Sequence, residues 1–136
     1  MIKGGEFLIK DQEAKDIFIP EEFGEDQLMM ASATKEFAEK ELDPHRERFE
    51  KKDYKLTEDC MKKAGELGLL GISVPAEYGG MGMPFNTSVL ICDKISGANG
   101  SFSTAFGAHT GIGTLPILLY GDDSQRTKYL PKLATG

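Results

Sequence analysis

Gly68-Leu69-Leu70-Gly71-Ile72-Ser73-Val74-Pro75-Ala76-Glu77-Tyr78-Gly79-Gly80-Met81-Gly82 closes one helix and delays the start of the next. Upstream of it, Cys60/Met61, Ala64 and Leu67 recur at helical spacing, and Thr57 is placed to cap the free amides of Asp59 and Cys60. Gly68 supplies the left-handed residue that stops such a helix, with Leu69 set to fold back on the last turn. Leu69 to Val74 reads as an extended piece, and Pro75 to Gly82 as a turn-rich loop. Glycines at 79, 80 and 82 imply a backbone path that side chains would block.

Toward the N-terminus, a helix is predicted from Glu25, with Asp26, Met30, Ala33, Phe37 and Leu42 near helical spacing. Glu25 and Asp26 suit the positive end of its dipole, and Asp43-Pro44 ends or kinks it. Residues 1–24 read as an extended arm in which Ile17-Phe18-Ile19-Pro20 lies against something rather than forming a helix.

Toward the C-terminus, helices are predicted at 85–96 and 101–112, separated by Gly97-Ala98-Asn99-Gly100, with Ser101 as a cap. Thr114-Leu115-Pro116 starts a short helix that Gly121 stops. Asp122 or Asp123 caps a last amphipathic helix, with Gln125 at capping-box spacing from Asp122. Strand alternation of useful length is missing, so the fold class is all-α, a helical bundle-like domain over 25–136 preceded by the arm.

Composition bounds what such a domain can do. At 136 residues with 40% apolar and 28% charged residues, the chain can bury a real core. A net charge of −6, with basic residues scattered among acids as in Glu39-Lys40-Glu41, argues against nucleic acid as a partner. Cys60 and Cys92 each stand alone in an apolar helical pattern, as buried thiols in a reducing compartment would. His45 and His109 lack ligand-spaced partners, so no metal site is predicted. Phe7-Leu8-Ile9 is too short for a signal-peptide core, and Leu115 to Tyr120 is too short to cross a bilayer. These features predict a cytoplasmic chain without a transmembrane segment.

Searches for catalytic chemistry come out negative. Gly111-Ile112-Gly113 lacks the third glycine of a dinucleotide fingerprint and follows a helical pattern, so it reads as a loop between helices. Gly79-Gly80-Met81-Gly82 has no phosphate-loop lysine, and Ser101 and Ser103 have no triad partners. One feature carries chemical interest. Ser103, Gly107 and Gly111 recur every four residues and put three small groups on one helix face. Close packing against a neighbouring helix explains them. So does the wall of a deep apolar slot, flanked by Phe102 and Phe106.

Two stretches together point to a family. Gly68-Leu69-Leu70-Gly71-Ile72 with Pro75-Ala76-Glu77-Tyr78-Gly79-Gly80-Met81-Gly82 is one. Gly121-Asp122-Asp123-Ser124-Gln125-Arg126 with Lys128-Tyr129-Leu130-Pro131-Lys132-Leu133-Ala134-Thr135-Gly136 is the other. In order and separation they resemble the N-terminal helical domain of the acyl-CoA dehydrogenases. The resemblance runs from about Glu25 onward, with Ala76 where the family often has a second acid. Gly107-Ala108-His109 with Ile112-Gly113, and the Gly4-Gly5-Glu6-Phe7-Leu8-Ile9 arm, look most like the long-chain and very-long-chain branch.

The resemblance implies an FAD-dependent α,β-dehydrogenation of acyl-CoA to trans-2-enoyl-CoA in fatty-acid β-oxidation. It also implies an electron-transferring flavoprotein as acceptor and a homo-oligomer. The glutamate base and most flavin contacts belong, in that family, to a middle β domain and a C-terminal helical domain absent from this chain. No catalytic or cofactor-binding residue therefore carries over, and the chain alone is expected to be inactive and not to retain FAD. What carries over is the fatty-acyl slot, with Ser103 and Gly107 as lining positions beside Phe102 and Phe106. An acyl-CoA oxidase shares the fold, and a stand-alone helical binding module is the reading from another class.

Overall fold

Gly68 adopts φ +75°, the left-handed conformation that halts the preceding helix. The fold around it comes from a computed structural model that describes residues 5–136, without the side chains of Phe7 and Ala14. Met1 to Gly4, where the predicted arm begins, lie outside the described residues. From Gly5 to Phe23 the arm is not simply extended: it makes three single tight turns, Glu6–Leu8, Ala14–Asp16 and Pro20–Glu22, each closed by local backbone bonds. Ile17, Phe18 and Ile19 stay about half exposed there, and the Phe18 ring meets Phe23 edge-on at 4.9 Å.

Helix α1, Glu25–Phe37, buries Met30, Ala31, Thr34 and Phe37, a stripe at three- and four-residue spacing. Gln27 serves it twice: its Oε1 accepts from the Gly24 amide, and its Nε2 donates to Thr87 Oγ1 at 2.7 Å. The second bond ties α1 to a later helix. Pro44 cannot donate to the Lys40 carbonyl, so the regular register cannot run through it. The chain widens into a π-type turn at Ala38–Leu42, tightens over Asp43–His45, and continues as α2, Arg46–Glu50.

Helix α3, Tyr54–Glu66, starts earlier than its sequence suggests. Asp53, not Thr57, is the cap: its Oδ1 accepts from the Leu56 amide at 3.1 Å, and its other oxygen pairs with Arg48 at 2.7 Å. The Leu56 amide, then Arg48, hold the Asp53 carboxyl below its ordinary value. The Thr57 hydroxyl donates back to the Asp53 carbonyl instead of capping.

Leu69 to Val74 is not extended. Leu69–Gly71 is a tight helical turn, and the following loop satisfies its backbone. Amides of Met81, Gly82 and Met83 donate to the carbonyls of Gly71, Val74 and Ile72 at 2.8–2.9 Å. The loop lies so close that a Cβ on Gly80 would sit 2.6 Å from the Gly71 oxygen.

Helices α4, Phe85–Ala98, and α5, Gly100–Gly107, meet at Asn99. Asn99, and not Ser101, caps α5 by accepting from the Phe102 amide at 2.8 Å; Ser101 bonds Glu50 instead. Gly111-Ile112-Gly113 is not a loop either. It lies in a second π-type turn, Ala108–Gly113, through which α5 runs on into α6, Thr114–Tyr120. Helix α7, Asp123–Thr135, opens with the reciprocal Asp122–Gln125 capping box that the spacing predicts, at 2.8 and 2.9 Å.

The result is all-helical over the described residues, as the sequence pattern predicts. Helix α4 packs between α1 and α5, while α7 closes over α6, α3 and the Leu69–Gly71 turn. Phe102, fully buried, sits among Phe37, Phe49 and Phe106 at ring separations of 5.8–6.4 Å. Such aromatic pairs contribute about 0.5–1.5 kcal/mol each beyond their burial. No described helix is long and apolar enough to cross a membrane.

Candidate functional site

Between α4, the α5–α6 run and the Leu69–Val74 segment lies a cavity of about 210 Å³. Its wall is built mainly from Leu, Ile, Val and Phe side chains. The polar groups in that wall are already committed. Ser73 and Ser88 bond each other at 2.7 Å, Thr110 donates to the Phe106 carbonyl, and Thr114 donates to the His109 carbonyl. Cys92 also lines the cavity, and burial pushes its thiol up, which keeps it neutral. Cys60, the other free thiol, is buried away from the cavity and likewise pushed up by burial. Among the described residues, no carboxylate, histidine, lysine or arginine stands in the wall. A wall of this chemistry can hold an apolar chain, and it supplies no group for acid–base chemistry.

Four residues were candidates for this slot, and the structure separates them. Phe106 and Gly107 line the cavity. Phe102 lies behind the wall in the aromatic core. Ser103 is outside the lining, its hydroxyl bonded to Ser96 at 2.7 Å. Gly111, the third member of the small-residue stripe, is in the wall with Thr110, Thr114 and Leu115. Thr110 stands four residues after Phe106 and Gly111 four after Gly107, both inside the predicted helix, whereas Thr114 and Leu115 lie past its predicted end.

At Gly107 and Gly111 the stripe is open rather than tightly packed. A Cβ built on Gly107 or Gly111 meets no heavy atom within 4 Å. Where the sequence left two explanations open, close helix packing finds no support within these residues. Removal of side-chain volume has left space instead.

A family model described as acyl-CoA dehydrogenase, N-terminal domain, matches residues 18–136. The chain is 46% identical over 134 residues to a probable acyl-CoA dehydrogenase of Bacillus subtilis (strain 168), covering 98% of this chain and 22% of that protein. It is 33% identical over 113 residues to the mitochondrial isovaleryl-CoA dehydrogenase of Bos taurus, covering 82% of this chain and 26% of that protein. The crystal structure of an acyl-CoA dehydrogenase complexed with FAD from Bacillus anthracis superposes with a TM-score of 0.91 at 44% identity. That match covers 99% of this chain and 23% of the other. The chain thus spans about a quarter of these proteins or less. With the helical order, the loop folded on Gly71 and the apolar cavity, these matches show that the chain belongs to the acyl-CoA dehydrogenase family, as its N-terminal domain.

Proposed function

We propose that the protein carrying this chain is an FAD-dependent acyl-CoA dehydrogenase, and that this domain walls the slot for the acyl chain. The observation that carries the reading is the cavity: apolar, its one thiol held neutral by burial, and with its hydroxyls turned to internal partners. When bound, FAD would accept the hydride from the substrate's β-carbon. The Gly111/Gly113 pair lies inside a helical turn. By family likeness, the flavin cradle and the base for the α-proton are assigned to a middle β domain and a C-terminal helical domain.

Long acyl chains are the proposed substrates, in fatty-acid β-oxidation, because Gly107 and Gly111 leave the wall bare. Similarity to an isovaleryl-CoA dehydrogenase favours a second reading, a short branched acyl group. The proposal extends to a cytoplasmic homo-oligomer that passes electrons to an electron-transferring flavoprotein. Exposed Ile112, Leu119 and Tyr120 give it apolar surface to bury. The test is substrate-dependent reduction of an electron acceptor by the full-length protein, with straight acyl-CoAs from butyryl to palmitoyl and with isovaleryl-CoA. Rising kcat/KM with chain length is expected. A maximum at isovaleryl-CoA would select the second reading, rapid oxygen consumption would make the enzyme an oxidase, and no turnover with any thioester would end the proposal.

A further inference from the structure

The helix that forms one wall of the cavity faces it for longer than a regular α-helix should. Phe106, Thr110 and Thr114 line the cavity at four-residue steps, and Gly107, Gly111 and Leu115 form a parallel row. In an α-helix each residue turns about 100°, so a four-residue step overshoots a full turn by about 40° and two steps by about 80°. Two such rows should rotate away from the cavity within two turns. They do not, because the π-type turn at Ala108–Gly113 intervenes. Bonded from i to i+5, it fits more residues into each turn, so a four-residue step inside it falls short of a full turn. The shortfall takes back the overshoot, and both rows stay on one wall.

Two side chains brace that turn from outside the backbone ladder. The Thr114 hydroxyl, on a residue only 1% exposed, donates to the His109 carbonyl five residues back, at 2.7 Å. The His109 Nε2–H donates to the Leu133 carbonyl at 2.7 Å. Leu133 lies in α7. The ring therefore ties the wide turn to a second helix, and the hydroxyl fixes its pitch.

We propose that His109 and Thr114 are positioning residues for acyl-chain recognition, holding the wide turn so that Gly107 and Gly111 face the slot together. The inference rests on the acyl-slot reading above. Its test uses the full-length protein and two thioether probes that cannot be dehydrogenated, S-butyl-CoA and S-hexadecyl-CoA, with binding measured by calorimetry. Thr114→Val and His109→Leu remove the braces; Thr114→Ser and His109→Gln keep a donor at each position. The first pair should lose about tenfold in affinity for the hexadecyl probe relative to the butyl probe, while the second stays within about twofold of wild type. If Thr114→Val does not fold, His109→Leu, at a half-buried position, carries the test alone. Equal losses for both probes, no loss, or losses in the Ser and Gln variants as large as in the first pair would overturn the inference while leaving the slot intact. A wild-type protein that binds neither probe would overturn the slot and the inference together.

Discussion

Gly65 and Gly80 meet backbone where a side chain would begin, whereas Gly107 and Gly111 meet nothing. A Cβ on Gly65 would lie 2.6 Å from the Thr135 carbonyl carbon, where α3 meets the end of α7. A Cβ on Gly80 would lie 2.6 Å from the Gly71 oxygen. Around Gly107 and Gly111 the same construction finds no heavy atom within 4 Å. One pair lets segments touch, and the other keeps a volume clear. The missing side chain serves assembly in the first region and, on the proposed reading, recognition in the second, a distinction that residue type alone does not carry.

The largest effect that could break this contrast lies in the first region. Gly80→Ala or Gly65→Ala pushes an atom into backbone that cannot swing aside, and should cost about 3 kcal/mol in urea unfolding. A cost below about 1 kcal/mol would mean that the loop or α7 yields, and that the contact is not an anchor. In the second region, Gly107→Glu in the full-length enzyme should leave folding intact but obstruct the slot. A carboxylate beside an alkyl tail is also poorly accommodated. The ratio of kcat/KM for long-chain over medium-chain acyl-CoA should fall by about tenfold to a hundredfold. An unchanged ratio in a folded, flavin-loaded variant would mean that the acyl chain does not pass Gly107. Smallest is Gly107→Ala, which adds one methyl into open space within a helix and should raise stability by about 0.5–1 kcal/mol. A loss of stability there would show that another part of the full-length protein fills the space.

Where local chemistry alone determines an outcome, the sequence was legible. Gly68 ends its helix and the Asp122–Gln125 pair opens another because each needs only neighbours three or four residues away. Thr57 was misread because Asp53, four residues earlier, competes for the same cap and also pairs with Arg48. Ser101 lost the capping role to Asn99 in the same way. Ile72 and Val74 favour extended backbone on their own, yet the loop from Gly80 to Met83 bends that segment into turns by bonding to its carbonyls. Of the site, Phe106 and Gly107 were readable from four-residue spacing. Thr114 and Leu115 were not, because they lie past the predicted helix end, and a π-type turn carries the helix onward without any residue pattern that announces it. Ser103 shows the converse: its spacing is right, but its hydroxyl finds Ser96 first.

Phe106 belongs to two neighbourhoods. Its ring lies 6.4 Å from that of Phe102 in the core, and it also forms part of the cavity wall. Any guest in the cavity therefore completes the surroundings of a side chain that the fold already depends on. Folding and occupancy become linked equilibria: a guest that binds only the folded chain adds about 2.7 kcal/mol of stability at a hundredfold excess over its dissociation constant. Trimming Phe106 weakens both equilibria, and the two losses need not add. Melting temperature thus becomes a gauge of what fills the cavity, readable without any chemistry taking place.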